Sequence, residues 1–293
     1  MNFLALVLGL GLERLLTHLF HLRAFHWLDP LFDSAFIRLK VTQPNGAIAT
    51  TIVIVALIVA PVGLLEAALQ GRFMHIPQFL FAVFVLLFCL GPRDLGETVA
   101  DFCSAAEQSD SEKERRSAAA LLERDIDSAE LADPEEAIYA QANNRIFSVV
   151  FWFVILGPTG AWLFRVLDLM QRRAVHFSQH SPAAENESRV IAAAVLLHRV
   201  MAWVPGRLLA LGYLLAGSFD GASSARQELE ITESTLFPGP TDQLLGAIGC
   251  GAMQSDTRND RIERARSALG LVERTLYIWC FILALMTLYD LLS

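Results

Sequence analysis

Four stretches of the chain carry no charged side chain and approach the length of a membrane-spanning helix: residues 47–65, 76–91, 146–164 and 275–289. A hydrocarbon core about 30 Å thick requires roughly 20 apolar residues per helix. Each stretch therefore predicts a transmembrane helix.

Two further stretches predict weaker spans. Residues 1–20 are apolar until Glu13 and Arg14, and they lack the basic start and the cleavage site of a removable signal peptide, which favours an uncleaved first helix. Residues 200–218 contain Pro205, so they form either a kinked span or a helix that begins at the membrane interface. The expected fold is an all-α polytopic integral membrane protein with about six transmembrane helices and cytoplasmic helical loops.

Composition supports this class of protein. Of the 293 residues, 54% are hydrophobic and 18% are charged, and the mean hydropathy is +0.44. This apolar content exceeds what a soluble domain of the same length needs. The net charge of -8 argues against a nucleic-acid partner. The four cysteines and seven histidines lack the spacing of a disulfide framework or a metal site.

The polar segments between the spans differ in charge. Residues 92–143 carry fourteen acids and five bases, whereas the later polar loop is rich in Gly and Pro. With six spans and the N-terminus outside, fourteen Lys and Arg fall in inner loops and four in outer loops, the bias expected of cytoplasmic loops. The predicted order is N-terminal membrane helices (1–91), an acidic helical cytoplasmic loop (92–143), membrane helices with polar ends (144–220), a polar loop (221–274) and a C-terminal membrane helix (275–293).

The end of the acidic segment carries the signals of a helix start. Asp133 is a capping residue, Pro134 suits the first helical position, and Glu135 and Glu136 place acids in the first turn. We expect this helix to run directly into the apolar stretch 146–164. The rest of the acidic segment is typical of a solvated pair of helices.

The stretch NNRIFSVVFWFVILGPTGAWLFRVLDLM, residues 143–170, has nineteen uncharged residues between Arg145 and Arg165. Gly157 and Gly160 lack side chains and Pro158 lacks an amide, so this turn is expected to kink the helix or to admit a close neighbour. If the helix crosses the membrane, Arg165 lies on the far side from Arg145.

Polar residues gather at or near the ends of the apolar spans, where such groups either pair and reach the interface or mark a site. Arg165 and Asp168 are spaced i, i+3 and can pair on one helical face. Both interpretations remain open. The candidates for a shared ligand-binding pocket are Asn143, Asn144, Arg145, Arg165, Asp168 and Arg207.

Two charged runs have alternative interpretations. Asp94, Glu97 and Asp101 fall at i, i+3 and i+7, so they form either a solvated acidic face or, with help from Asp125, a Mg²⁺ site. The later run attracts lipid headgroups or a phosphorylated ligand, or it is only the positive-inside signal. Its members are Arg258, Arg261 and Arg264.

Residues 143–170, followed by LHRVMAWVPGRLLALGYLLAGSF at 197–219, resemble the AmpE family of inner-membrane proteins associated with β-lactamase induction. That family is in turn distantly similar to the CobD/CbiB family of cobalamin biosynthesis, which joins an aminopropanol to a corrinoid carboxylate with ATP. The resemblance covers the chain from about residue 90 onward and implies a multi-pass protein of the bacterial inner membrane, with a periplasmic N-terminus in the topology above.

The CobD/CbiB motifs are only partly kept. WVPGRL at 203–208 is close to Trp-Ile-Pro-Ala-Arg-Leu, and LGPTGA at 156–161 resembles Gly-Gly-x-x-Gly-Ala. ERDI at 123–126 keeps Arg124 and Asp125 of Gly-Arg-Asp-Thr, which adds these two to the candidate ligand-binding set. FRVLDLM at 164–170 lacks the Asn-Thr of the family run, and ANN at 142–144 lacks the acid of a Glu-Asn pair.

The missing acid matters because amide formation with ATP needs phosphates and Mg²⁺ held by carboxylates. The resemblance therefore favours a sensory or accessory protein that modulates β-lactamase induction or cell-wall recycling, with no catalytic residue assigned. The alternative is a CobD-like ATP-dependent amide ligase with an altered substrate, which would use ATP and Mg²⁺. The expected partners are membrane lipids and a small-molecule or muropeptide-type ligand, with homo-oligomerisation left open.

Overall fold

The computed structural model describes residues 26–38, 43–69, 75–90, 95–108, 110–122, 134–180, 189–229, 240–254 and 260–292. These residues form helices and no strand, which confirms the predicted all-α class. A short 3₁₀ helix, His26–Leu28, precedes the others. The α-helices are α1 (Asp29–Arg38), α2 (Pro44–Leu69), α3 (His75–Cys89), α4 (Leu95–Glu107), α5 (Ser111–Leu122), α6 (Pro134–Ala142), α7 (Ser148–His180), α8 (Arg189–Ala216), α9 (Phe219–Glu228), α10 (Pro240–Met253) and α11 (Arg261–Leu292).

Four helical runs are long and apolar enough to cross a membrane: Pro44–Leu69, Pro134–Ser178, Arg189–Ala216 and Arg261–Tyr289. They contain the predicted stretches 47–65, 146–164 and 275–289. Most of the weaker stretch 200–218 also lies in a continuous helix, α8, with Pro205 inside it. Residues 76–89 of the stretch 76–91 lie in α3, which has only 15 residues, and residue 91 lies outside the described residues. The prediction for residues 1–20 lies outside the described residues.

The chain divides into two compact units. The first unit comprises Met1–Pro92 and Ser148–Ala202, and the second comprises Arg93–Phe147 and Trp203–Ser293. Two of the three boundaries fall within helical runs, because α6 continues into α7 through a five-residue π-helical turn and α8 passes through residue 202 without a break. The third, between residues 92 and 93, lies outside the described residues. Each unit has a packing logic of its own.

In the first unit, α7 packs against α1, α2 and α3. The indole Nε1 of Trp162 donates a hydrogen bond to the carbonyl of Ile58 in α2, at 3.2 Å. Arg173 Nε donates to Asp33 Oδ1 of α1 at 2.7 Å. The predicted six-span topology placed Asp33 in an inner loop and Arg173 in an outer loop. That assignment is wrong for this pair, since bonded side chains cannot lie on opposite sides of a bilayer about 30 Å thick.

Helix α7 is broken at Gly157, which has φ 69° and ψ -160°. Only glycine adopts this combination without strain. The carbonyl oxygen of Trp152 would lie 2.5 Å from a Cβ at Gly160, although residues eight apart in an unbroken helix are separated by about 12 Å along the axis. Two helical halves, 148–156 and 158–180, therefore meet at a sharp bend. The predicted kink is confirmed, and the far-side placement of Arg165, which assumed a straight crossing, remains a prediction.

The second unit has a continuous core formed by helices of the acidic segment, α8, α9, α10 and α11. Tyr139 of α6 is fully buried, and its ring lies against the bare backbone of Gly249 in α10. Tyr213 of α8 stacks edge-on with Tyr139 at 5.2 Å between ring centroids and donates a hydrogen bond to its carbonyl. A side chain at position 249 would displace this aromatic pair, so the glycine is required by packing.

The acidic segment is held to the start of α11 by three ion pairs. Arg261 pairs with Glu114 of α5, Arg264 with Glu135 of α6, and Arg266 with Glu107 of α4. Helix α4 has one buried and one exposed side, whereas α6 is buried along most of its length. Arg258, Arg261 and Arg264 were predicted either to attract lipid headgroups or a phosphorylated ligand, or to be only the positive-inside signal. Arg261 and Arg264 have ion-pair partners within the chain, which leaves both interpretations as predictions, and Arg258 lies outside the described residues.

Cys103 is buried at the same contact between the acidic segment and the start of α11. Its side chain lies in α4 with its sulfur 4.0 Å from the carbonyl oxygen of Ile262, at the start of α11. Burial raises the pKa of the Cys103 thiol above its ordinary value, while the nearby charge of Arg266 opposes that rise. The thiol form therefore predominates at neutral pH, so this cysteine acts as a packing residue where α4 meets α11.

The ion pairs of α11 predict unequal losses of stability. Glu135 is 1% exposed and Glu107 is 52% exposed as side chains. Removal of a buried partner leaves a charge in a poor environment and costs roughly 3 kcal/mol, whereas an exposed pair contributes under about 1 kcal/mol. Glu135→Gln should therefore lower the melting temperature in detergent clearly more than Glu107→Gln. Equal shifts would show that burial does not set the strength of these contacts.

Candidate functional site

A π-helical turn, Asn143–Phe147, joins α6 to α7. We call Asn143, Asn144 and Arg145 the polar turn. Their exposed fractions are 0%, 4% and 3%, so three polar side chains are enclosed within an apolar helical run. Short π-helical insertions occur frequently at functional sites because they redirect side chains out of the regular helical register.

Arg145 connects three helices of the second unit. Its Nη1 donates to Thr98 Oγ1 of α4 at 3.4 Å, and its Nη2 donates to the carbonyl of Ala120 in α5 at 3.1 Å. Its Nε donates to Gln141 Oε1 one turn earlier in α6, at 3.3 Å. A rigid guanidinium that faces three elements can hold a carboxylate or phosphate if one of these bonds is exchanged for a ligand.

The two asparagines face α10 and α8. Asn143 Nδ2 donates to Asn144 Oδ1 at 3.5 Å, and Asn144 Nδ2 donates to Asp242 Oδ1 of α10 at 3.4 Å. Gly206 of α8 leaves room for this arrangement, since a Cβ there would clash with Thr241 and would approach Asn143 Nδ2 at 3.7 Å. The polar turn and Asp242 together present amide donors, amide acceptors, a carboxylate and a guanidinium within one buried network.

The bonds of the polar turn are long. The five distances above lie between 3.1 and 3.5 Å, while N–H···O bonds in proteins centre near 2.9–3.0 Å. Catalytic hydrogen bonds in enzymes without ligand are often long in this way and tighten when the ligand binds. These five bonds hold the side chains around the turn, and Asn143, Arg145 and Asp242 make further interactions besides them.

The first unit contains a contrasting cluster. Asp168 Oδ2 accepts from Arg165 Nη1 at 2.7 Å, and Asp168 Oδ1 accepts from Arg172 Nε at 2.9 Å. His198 Nε2 of α8 lies 3.7 Å from Asp168 Oδ1, and its ring contacts Phe164. Both the arginine at 165 and the aspartate are about 1–2% exposed. The predicted pairing of Arg165 with Asp168 is confirmed.

Short, buried, charge-assisted bonds indicate a structural role for this cluster. Asp168 joins two turns of α7 and approaches α8, so it fastens these helices together. Arg165 Nε and His198 Nε2 have no hydrogen-bond partner among the described residues. These two unpaired atoms lower the stability that the cluster contributes. They do not form a ligand site, because both carboxylate oxygens of Asp168 already accept hydrogen bonds from arginines.

Arg207 lies in the second unit, on α8. Its guanidinium carbon is 5.4 Å from the ring centroid of Trp203, one turn earlier in α8. A cation–π contact of this kind fixes the side chain along the helix surface. Its neighbour Gly206, and not the arginine itself, makes the close approach to the polar turn.

The Mg²⁺ prediction is not settled by the structure. Glu97 and Asp101 both lie exposed on α4, and Asp94 and Asp125 lie outside the described residues, as does Arg124. Within the described ranges, no group of three or more His, Cys, Asp or Glu could hold a metal ion. The acidic face therefore remains a prediction of the sequence.

Several members of these clusters were not singled out from the sequence. Gln141 lies one turn before Arg145, and that spacing could have suggested it. Thr98 and Asp242 are 47 and 98 residues from their partners in the polar turn, so no local pattern could have found them. In the Asp168 cluster, Arg172 lies one turn after Asp168, so its spacing could likewise have suggested it, whereas His198 lies on α8 and could not have been found from a local pattern.

The fold and the polar turn define an all-α polytopic membrane protein with a buried polar network between its helices. The chain belongs to the AmpE family, because the family model described as regulatory signalling modulator protein AmpE matches residues 1–293. No solved structure matches the chain.

Named relatives are similar at low identity. Protein AmpE of Shigella flexneri is 22% identical over 272 residues, which cover 90% of this chain and 92% of that protein. Cobalamin biosynthesis protein CobD of Stutzerimonas stutzeri (strain A1501) is 27% identical over 183 residues, or 60% of this chain and 56% of the relative. CobD of Chromobacterium violaceum is 28% identical over 174 residues, or 56% and 51%. The matches to the CobD proteins span little more than half of their length.

The contrast between the two clusters predicts different effects of substitution. Asn144→Ala and Arg145→Ala remove long bonds, so each should cost about 1–2 kcal/mol and impair function with little loss of folded protein. Arg165→Ala breaks a short buried pair and should cost roughly 3–5 kcal/mol. Arg207→Ala should mainly lower stability through its lost contact with Trp203. Detergent melting temperatures measured beside a β-lactamase induction assay separate these effects, and equal destabilisation by all four changes would reduce the polar turn to a structural element.

Proposed function

We propose that the protein is a sensory or accessory protein of the inner membrane that modulates β-lactamase induction or cell-wall recycling by binding a small ligand at the polar turn. Membership of a family of regulatory signalling modulators supports the regulatory part of this proposal. The long, buried hydrogen bonds of Asn143, Asn144 and Arg145 carry the binding part.

The chemistry of the polar turn favours a ligand that carries both carboxylate and amide groups. The guanidinium of Arg145 is suited to a carboxylate. The side chains of Asn144 and Asp242 are suited to a peptide amide, because together they offer a donor and acceptors. The peptide portion of a muropeptide has these groups, so we propose a muropeptide-type ligand.

The proposed location is the bacterial inner membrane, with the N-terminus in the periplasm and the acidic segment 92–143 in the cytoplasm. The eleven Arg and Lys residues of segments 92–143 and 221–274 support a cytoplasmic position for these two segments. The ion pairs between α11 and the acidic segment are consistent with it, since they require residues 261–266 to lie on the same side as that segment.

A second candidate function is an ATP-dependent amide ligase. Two relatives named as CobD support it. By resemblance, the Glu-Asn pair of that enzyme family falls near Ala142, Asn143 and Asn144 of this chain. The acid of that pair is replaced by Ala142, which is buried and offers no ligand to Mg²⁺. We therefore favour the regulatory function.

Ligand binding can be tested by thermal shift with the full-length protein in detergent. A purified muropeptide fraction at about 100 times its Kd should stabilise the wild-type protein by about 2.7 kcal/mol, and Asn144→Ala should abolish that shift. Lys113→Ala, an exposed change on α5, is the matched control and should respond like the wild type.

The same assay with ATP and Mg²⁺ examines the ligase function. The regulatory proposal expects no stabilisation by the nucleotide. A robust shift with ATP and Mg²⁺ that disappears in Asp125→Ala, together with no response to muropeptides, would contradict the regulatory proposal and support the enzyme.

A further inference from the structure

The bend of α7 is fastened by a carboxylate from a neighbouring membrane helix. Glu66 lies near the end of α2, and its Oε2 accepts hydrogen bonds from the backbone N–H of Thr159 at 3.2 Å and from Thr159 Oγ1 at 2.5 Å. The other oxygen, Oε1, would lie 2.7 Å from a Cβ at Gly157. The carboxylate thus occupies the space that any side chain at position 157 would need.

Glu66 accepts a hydrogen bond from the backbone N–H of Thr159, which the break in α7 leaves without a helical partner. The half-helix 158–180 begins at Pro158, which has no N–H, so the first backbone donor left without a helical partner is that of Thr159. An unpaired donor in an apolar environment is costly. A carboxylate at this position satisfies the donor and places a negative charge at the positive end of the half-helix.

Local sequence alone does not require the bent form. A proline lacks one hydrogen bond wherever it lies in a helix, yet α2 and α8 contain Pro61 and Pro205 and show no comparable break. The difference at α7 is the combination of a glycine with positive φ and an external acceptor for the next donor. The stability of the bend therefore depends on a contact between two helices.

We propose that Gly157 is a hinge within the membrane region and that Glu66 is the latch that holds it bent. Loss of the latch shifts the population of α7 towards a straighter helix, because residues 154–160 can then form their own backbone bonds, apart from the one that Pro158 cannot donate. The hinge is a conformational device of the first unit and stands on this contact alone.

Spin labels introduced as unnatural amino acids at positions 151 and 169, one on each half, test this proposal and leave the four native cysteines in place. In an unbroken helix these positions are about 27 Å apart, and the bend brings them closer. Glu66→Ala should add a population near the longer distance, with the ratio of straight to bent forms raised on the order of tenfold.

Three variants complete the test. Glu66→Gln keeps an oxygen that can accept from Thr159, so it should restore most of the bent population. Thr159→Val removes only the hydroxyl and should have a smaller effect than Glu66→Ala. Asp33→Ala breaks the pair with Arg173 in the same unit and should leave the distance unchanged.

A distance distribution that is the same in the wild type and in folded Glu66→Ala would overturn the proposal. If Glu66→Ala does not fold, Thr159→Val carries the decision, and an unchanged distribution in that variant would likewise exclude a latch. A shift of equal size in Asp33→Ala would show a general loosening of the unit and would also count against it.

Discussion

Polar groups enclosed by apolar helices must find partners within the protein, and this constraint governs both units. A bilayer offers no water to an unpaired amide or guanidinium. The chain interrupts its apolar helices with Asn143, Arg145, Gly157 and Arg165, and each interruption is met by a group from another helix or another turn. Thr98 and Asp242 serve the polar turn, and Glu66 serves the bend.

The lengths of these hydrogen bonds differ between the Asp168 cluster and the polar turn. Asp168 binds its arginines at 2.7 and 2.9 Å, which is the range of strong charge-assisted bonds. The polar turn binds its neighbours at 3.1–3.5 Å. Two clusters that are equally buried thus differ in the lengths of their hydrogen bonds, and our proposal places the ligand at the cluster with the longer bonds.

The sequence predicts the helical class, most of the long apolar helices and the pairing of Arg165 with Asp168, because each depends on composition or on spacing within one helix. It also predicts a kink at Gly157, since glycine followed by proline weakens a helix locally. The sharpness of that bend was not predictable, because it depends on Glu66, more than ninety residues earlier.

The site shows the same limit. The sequence predicts the polar turn because its polar residues lie next to an apolar stretch. Its hydrogen-bond partners on α4 and α10 are distant in the sequence, so they could not be predicted. The predicted topology placed Asp33 and Arg173 on opposite sides of the membrane because it assumed that every apolar stretch crosses the membrane as a straight helix. The hydrogen bond between the two side chains contradicts that placement. Contacts between helices can correct a predicted topology, but a single sequence contains no local pattern that reveals them.

The most direct test is a cryo-EM map of the full-length protein purified in lipid nanodiscs from cells undergoing β-lactamase induction. If the polar turn binds the ligand, we expect density for a small molecule between Arg145 and Asn144. The hydrogen bond from Arg145 to Thr98 or Gln141 should then be replaced by one to that ligand. A map in which the polar turn keeps all its internal bonds, and ligand density lies elsewhere, would contradict the assignment of this turn as the binding site.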